Sequence, residues 1–381
     1  MEASQVLWEK WQEQVKGLFP MLHGHQQKLL ALMVAGIVVS GSAVLQRMAE
    51  DIQQHGWSQA KMSSIERRLE RFLANDQLKV NDIWKAFLGE VLPYWKGQKL
   101  TFVLDCTPYT AHFTIVYVGL LVHSRVLPVV WTVMPQQEPW EERQWDLVAC
   151  LLDTIQEFLP ETECTLVADR GLTGRPLVRL CEQRHWHYVL RICQEHTCRR
   201  QLGATNKWSR RWCSFQSFIH KKGHQWYGRA LVWQEETIQT YVSACWAQEY
   251  QEAWLIISDL PAGKARIHTY ALRMRVEATF QDTKTRGWNI EASHLKVRAH
   301  LERLLLALFL AVWWAGHLAA SCIHNGQRDR FDRHDRRDKG IFRLGRLWLR
   351  DILRRATNPA ALTCCLPFKK QAKGWRFSLR F

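Results

Sequence analysis

Apolar residues recur every three or four positions from Ser4 to about Trp95, which is the periodicity of amphipathic helices. Alternating strand-forming residues are scarce over the same range. The pattern therefore predicts an all-helical region at residues 1–96. Within it, the segment "SSIERRLERFLAND" carries Arg67, Arg68 and Arg71, so one predicted helix has a basic face. That face suits a DNA-binding domain, although a solvated charged helix has the same pattern.

The pattern changes at Leu100, where runs rich in β-branched and aromatic residues begin. The runs "KLTFVLDCTPYT", "HFTIVYVGLLV" and "RVLPVVWTVMP" predict three successive strands. A helix follows from Trp140 to Leu159, and then a strand in "ECTLVADRGLTGRP" that ends at Asp169, a further helix and the strand "WHYVLRI". This order predicts an α/β domain with a mixed sheet.

The composition shifts again between about Gln194 and Tyr250, where short strand patterns alternate with tryptophans and basic clusters. We interpret residues 194–250 as a β-rich insertion. It separates two parts of the α/β core, residues 97–193 and 251–325, and a basic C-terminal region follows at residues 326–381. Basic residues next to aromatic ones suit a nucleic-acid backbone and unpaired bases, but core packing explains most tryptophans equally well.

Charge narrows the class of partner. The 381 residues include 52 Lys and Arg against 36 Asp and Glu, a formal net charge of +16. This excess favours a polyanionic partner, nucleic acid before an anionic membrane surface, while a merely basic surface is the plain alternative. The 11 cysteines have irregular spacings and do not form a disulfide framework, which favours a reducing cytoplasm.

Two long apolar stretches, residues 29–45 and 304–323, raise the question of a membrane. The first is broken by Gly and Ser, whereas the second is long enough to span a bilayer. A helix buried on all sides against a sheet has the same composition. Because α/β patterns surround the second stretch, we expect a buried helix and no membrane.

A four-residue pattern stands out in "YALRMRVEATFQDTK". On a single helix, Tyr270, Arg273, Glu277 and Lys284 fall within one arc of roughly 60°. A solvated amphipathic helix can also place Arg and Glu four positions apart. Tyrosine and lysine on the same stripe make a functional face the better interpretation.

Two further carboxylates follow apolar strands, Asp105 after the first strand and Asp169 after the fourth. In a mixed sheet of this order the two strand ends can be neighbours, and Glu277 from a packed helix would complete an acidic triad. Such a triad would hold two Mg²⁺ ions, with Mn²⁺ as a substitute, because hard cations prefer oxygen ligands. One ion would activate a water or a 3′ hydroxyl, and the other would stabilise the leaving oxygen of a phosphoryl transfer. Each aspartate taken alone is more often a turn residue or helix cap.

These residues resemble the DDE transposases of insertion sequence family four. The family hallmark Y-(2)-R-(3)-E-(6)-K is matched at Tyr270, Arg273, Glu277 and Lys284. The first aspartate lies in "LDCTPY", with Thr107 in the family's position, and the second lies in "VADRGLTG". The segment "RGWNIEASHLK" after the motif is also similar to the family.

The resemblance implies a ribonuclease-H-like catalytic core, interrupted by a β-rich insertion and preceded by an all-helical domain. It further implies that Asp105, Asp169 and Glu277 are catalytic and bind the metal ions. DNA binding is implied for three motif residues that grip the phosphates of the transposon end and for a tryptophan that stacks on a flipped base. These DNA-binding residues are Tyr270, Arg273, Lys284 and Trp254, and core packing is the alternative for Trp254.

The expected function is cut-and-paste transposition in the bacterial cytoplasm, in association with the nucleoid. The enzyme would hydrolyse DNA at the terminal inverted repeats and transfer the 3′ hydroxyl ends into target DNA, as a homodimer that brings two ends together. Three alternatives stay open: another nuclease of the same fold, a catalytically inactive domesticated DNA-binding protein, and a membrane protein. The three carboxylates argue against the inactive form.

Overall fold

The computed structural model describes residues 2–122, 125–138, 140–203, 207–284, 287–337 and 339–355. Its helices are α1 (Glu2–Leu18), α2 (Gly24–Ser40), α3 (Leu45–Gln54), α4 (Met62–Leu73), α5 (Val80–Val91), α6 (Trp140–Phe158), α7 (Arg175–Gln183), α8 (Lys264–Ala271), α9 (Arg275–Thr283), α10 (Arg298–His324) and α11 (Ile341–Arg355). Its strands are β1 (Leu100–Tyr109), β2 (Phe113–Val122), β3 (Arg125–Pro135), β4 (Cys164–Ala168), β5 (His187–Arg191), β6 (Thr197–Arg200), β7 (Cys213–Ser214), β8 (Gln225–Val232), β9 (Ile238–Cys245) and β10 (Trp254–Ser258).

Helices α1–α5 account for the N-terminal region, as the periodicity predicts. Helices α3 and α4 bury one apolar face each, whereas α2 is buried from Leu29 to Val39. Helix α2 is capped by Gly41, whose φ of 69° is the left-handed conformation that glycine adopts at low cost. The division of the chain into separate domains stays a prediction, because one continuous apolar core joins these helices to the sheet.

The strands form one mixed sheet in the order β3-β2-β1-β4-β5-β10-β9-β8-β6-β7. Strands β1, β4 and β5 are parallel to one another, and β2 and β3 extend the sheet as antiparallel neighbours on the β1 side. Helices α6 and α7 provide the crossovers between the parallel strands. The predicted ribonuclease-H-like α/β class is confirmed.

The insertion is β-rich as expected, but its strands belong to the core sheet. Strand β9 pairs with β10 antiparallel from Trp254 opposite Cys245 to Ser258 opposite Tyr241, and β8, β6 and β7 follow beyond it. Strand β10 has hydrogen-bonding groups along two edges. The edge that faces away from β5 pairs with β9 of the insertion. The insertion therefore continues the same sheet that contains β1, β4 and β5.

Helix α10 lies in the middle of the molecule, between the sheet and the N-terminal helices. Among the described residues it is the helix that is long and apolar enough to cross a membrane by itself, and 89% of its most apolar window is buried in the protein. Helices α2 and α3 would pass the same test only as one span, and they are bent by 91°. The predicted buried helix is thus observed.

The basic C-terminal region is described up to Arg355, and residues 356–381 lie outside the described part. Helix α11 buries its apolar face against α10 and exposes Arg343, Arg350 and Arg354. Gly345 lets the two helices approach closely, since a Cβ atom there would lie 2.0 Å from the carbonyl oxygen of Ala315.

We expect the substitution Gly345→Ala to lower the free energy of unfolding by about 1–3 kcal/mol, because the backbone of α10 cannot yield to the added methyl group. Gly17→Ala in α1 is the matched control, since no atom lies within 4 Å of its Cβ position. Urea unfolding of both variants checks the prediction. Equal midpoints for the two variants would contradict the close approach of α10 and α11.

Candidate active site

Strand pairing places the two aspartates side by side. Strands β1 and β4 are parallel, and their last paired residues are Leu104 and Ala168. Asp105 and Asp169 come next on the two strands. Asp169 follows the end of β4 as expected, but Asp105 does not end its strand: β1 continues to Tyr109 because β2 pairs with it over its whole second half.

The helix that carries the four-residue motif is interrupted. Tyr270 lies in α8, Arg273 in a single 3₁₀ turn at Leu272–Met274, Glu277 in α9, and Lys284 directly after α9. The expectation of one continuous α-helix is therefore wrong. A short 3₁₀ stretch within a helix often marks a functional or strained point.

Arg273 lies at the centre of the site and contacts all three carboxylates. Its Nη2 atom is 3.1 Å from Asp105 Oδ2 and 3.3 Å from Asp169 Oδ2, and its Nη1 atom is 3.8 Å from Glu277 Oε1. The Arg273 side chain is 9% exposed, whereas the side chains of the carboxylates are 11%, 31% and 50% exposed in the same order. The predicted triad thus converges on one guanidinium group.

Tyr270 and Lys284 also have partners within the protein. The buried Tyr270 hydroxyl donates a hydrogen bond of 2.8 Å to Asp169 Oδ1. Lys284 Nζ donates one of 2.7 Å to the carbonyl oxygen of Pro108, and it is 3.4 Å from Glu291 Oε1. Lys284 therefore ties the end of α9 to the end of β1. Their phosphate-binding roles stay predictions.

Trp254 is 9% exposed at the start of β10. Its ring stacks on Tyr250, with ring centroids 4.1 Å apart and planes within 12°, and its edge meets the ring of Tyr270 with centroids 5.0 Å apart. In this arrangement Trp254 packs behind Tyr270. Stacking on a flipped base stays a prediction.

Burial and charge act differently on the two aspartates. Burial raises the pKa of Asp105, and the Arg273 guanidinium and the Cys106 amide only partly offset it. Burial also raises the pKa of Asp169, but Arg273 and the Tyr270 hydroxyl, with the Arg170 amide and Arg191, outweigh that effect and lower it. Burial and the neighbouring Asp169 raise the pKa of the Tyr270 hydroxyl, so it remains a hydrogen-bond donor.

A second layer of cations, which the motif does not include, lies beside Asp169. Arg191 ends β5 directly beside Asp169, with Nη1 3.7 Å from Asp169 Oδ1, and its Nη2 atom pairs with Glu252. Glu252 also accepts a hydrogen bond of 2.8 Å from Arg170. Glu252 lies shortly before β10, in the second part of the core. The sequence shows Arg191 at the end of β5, the strand that follows Asp169. Its place beside Asp169 depends on the order of the strands in the sheet.

The chemistry of the three carboxylates fits divalent metal ions, because all are oxygen donors that converge within 3.8 Å of one positive group. They are not arranged as a closed cage around a common point. Within the described ranges, no group of three or more His, Cys, Asp or Glu side chains is close enough to hold an ion. Arg273 provides the physical reason, since its guanidinium lies among the carboxylates. The metal-binding roles of Asp105, Asp169 and Glu277 stay predictions.

The parallel strands, the flanking helices and the converging carboxylates define a ribonuclease-H-like protein with a carboxylate-rich site. Residues 127–314 match the family model of the transposase DDE domain. This part of the chain is therefore similar to transposase DDE domains, and the resemblance to DDE transposases is confirmed. The match includes Asp169, Glu277 and the motif, and it begins after Asp105, whose place rests on strand pairing. A comparison with curated proteins found no match.

The opposite pKa shifts predict opposite stability effects of Asp105→Asn and Asp169→Asn in metal-free buffer. The stability from Asp169 is present above its unfolded-state pKa and lost as pH falls through the lower folded pKa. The cost of Asp105 is absent below its unfolded-state pKa and complete above the raised folded pKa. At neutral pH we expect Asp169→Asn to destabilise and Asp105→Asn to stabilise, each by about 1 kcal/mol.

Urea midpoints measured from roughly pH 7 to pH 3 check this pair of variants. The two effects should diminish as the pH falls. Changes of the same sign at neutral pH would show that the electrostatic account of the two aspartates is wrong.

Proposed function

We propose that the chain is a cut-and-paste transposase of insertion sequence family four. It would hydrolyse DNA at the ends of its element and transfer the 3′ hydroxyl ends into target DNA. The convergence of Asp105, Asp169 and Glu277 from two strands and a helix carries the proposal. The transposase DDE domain match supports it independently.

The three carboxylates would hold two Mg²⁺ ions, which when bound supply charge neutralisation and activation of the attacking oxygen. The remaining side chains would orient this set. The Tyr270 hydroxyl fixes Asp169 Oδ1, while Asp169 Oδ2 faces Arg273. Lys284 holds the end of β1 beside α9, and Arg273 provides a fork of donors that suits a DNA phosphate.

Exposed arginines outside the site would bind the DNA backbone. Helix α4 presents Arg67, Arg68 and Arg71, and α11 presents a second set along its exposed face. Arginine and lysine contacts to phosphates give most of the sequence-independent affinity for DNA. A homodimer with these surfaces on each protomer would bring two element ends together in the bacterial cytoplasm.

Two alternatives from the sequence remain distinguishable by experiment. An inactive DNA-binding protein has no need of three carboxylates gathered around a buried arginine, since the burial of Asp105 costs stability. Another nuclease of the same fold would cut DNA but would not join the 3′ ends to a second duplex. Recovery of joined products separates the nuclease from the transposase.

The direct test is the cleavage of a labelled DNA fragment that carries the element ends, with Mg²⁺ or Ca²⁺. We expect cutting with Mg²⁺, and a loss of at least about 100-fold for Glu277→Ala, because the variant lacks one of the three oxygen donors. Glu182→Ala, an exposed carboxylate of α7, is the matched control and should keep wild-type cutting.

Binding of the fragment without cutting under every metal condition would overturn the enzyme proposal in favour of a DNA-binding protein. Equal cutting by Glu277→Ala and Glu182→Ala would show that the cleaving site lies elsewhere in the chain.

A further inference from the structure

Arg273 is the most confined cation of the site. Its side chain is 9% exposed, and its two terminal nitrogens reach carboxylates on β1, after β4 and on α9. Its Nε atom is buried and has no hydrogen-bond partner among the described residues. The contacts of this guanidinium group are therefore made mainly with the triad.

This position conflicts electrostatically with divalent ions on the same oxygens. Three carboxylates close together repel one another, and a single positive charge among them reduces that repulsion. The interaction is little screened because the arginine and Asp105 are nearly buried. A divalent ion at these carboxylates would meet a like charge at short distance, so the two kinds of cation compete.

The backbone at Arg273 differs from that of the helices on either side. The residue lies in the 3₁₀ turn between α8 and α9, the point where the helix is interrupted. The next residue, Met274, is 44% exposed, so the turn lies close to the surface.

We propose that Arg273 is a positioning residue that holds the three carboxylates as their counter-cation until a DNA phosphate draws it away. Metal ions then bind strongly only to the DNA complex. The inference rests on the proposed role of the triad as metal ligands. Its chemical basis is that arginine pairs with phosphate through two parallel hydrogen bonds. These bonds replace the contacts that Arg273 loses when it leaves the carboxylates.

The test is Mn²⁺ binding to the full-length, metal-free protein without DNA, measured from the electron paramagnetic resonance signal of free Mn²⁺. Arg273→Gln should bind Mn²⁺ at least about tenfold more tightly than wild type, because the competing charge is gone. Arg273→Lys keeps the charge and should stay near wild type. Arg179→Gln, an exposed arginine of α7, is the control for loss of charge and should change nothing.

Two further measurements locate the effect. Adding Asp169→Asn to Arg273→Gln should remove the gain in affinity. Adding the element-end DNA to wild type should raise its Mn²⁺ affinity towards that of Arg273→Gln, after subtraction of the Mn²⁺ bound by DNA alone. Unchanged or weaker binding by Arg273→Gln would overturn the inference.

If Arg273→Gln does not fold without metal, circular dichroism still decides the question. Refolding on addition of Mn²⁺ would support the counter-cation role, and a chain that stays unfolded would contradict it. The proposed function is tested separately. If wild type cuts DNA but Arg273→Gln gains no Mn²⁺ affinity, only the inference is overturned. If wild type does not cut DNA but Arg273→Gln gains Mn²⁺ affinity, only the proposed transposase function is overturned.

Discussion

The parallel pairing of β1 with β4 is the constraint on which the site depends. Each aspartate directly follows the last residue of its strand in this pairing, so Asp105 and Asp169 lie side by side. The antiparallel partner β2 continues to pair with β1 beyond Asp105, so this carboxylate is held by the sheet rather than by a loop. A rigid strand positions a catalytic group more accurately than a loop does.

The second constraint is charge. Carboxylates this close together are unstable unless a positive group accompanies them, and in this protein Arg273 provides that group from a turn between two short helices. Positive and negative side chains also alternate in the contacts that start at Asp169, in the order Arg191, Glu252 and Arg170. Burial raises the pKa of Asp105 and therefore costs stability at neutral pH, which is a cost often found at functional sites.

Much of this architecture could be predicted from the sequence, because local signals determine it. Periodicity identified the N-terminal helices, and a long apolar stretch identified the buried α10. Apolar runs before Asp105 and Asp169 identified the strands. The sequence did not specify which strands pair, so the place of Arg191 beside Asp169 could not be known. Pairing depends on contacts between distant segments.

The motif helix shows a second limit of sequence reasoning. Its spacing suits one continuous helix, and no glycine or proline between Tyr270 and Lys284 indicates a break. The 3₁₀ turn at Arg273 accompanies the contacts of that side chain with three carboxylates, which are tertiary interactions. The insertion is similar: its strands were predicted, but their pairing with β10 in the core sheet was not.

The central claim is that carboxylates from three separate parts of the chain form one metal site. It is tested most directly by replacing Mg²⁺ with Fe²⁺ in the DNA complex and mapping where the peptide backbone is cut by locally generated radicals. The account predicts cuts clustered near Asp105, Asp169 and Glu277, all suppressed together by excess Mg²⁺. Cuts at only one of these positions, or elsewhere in the chain, would contradict it.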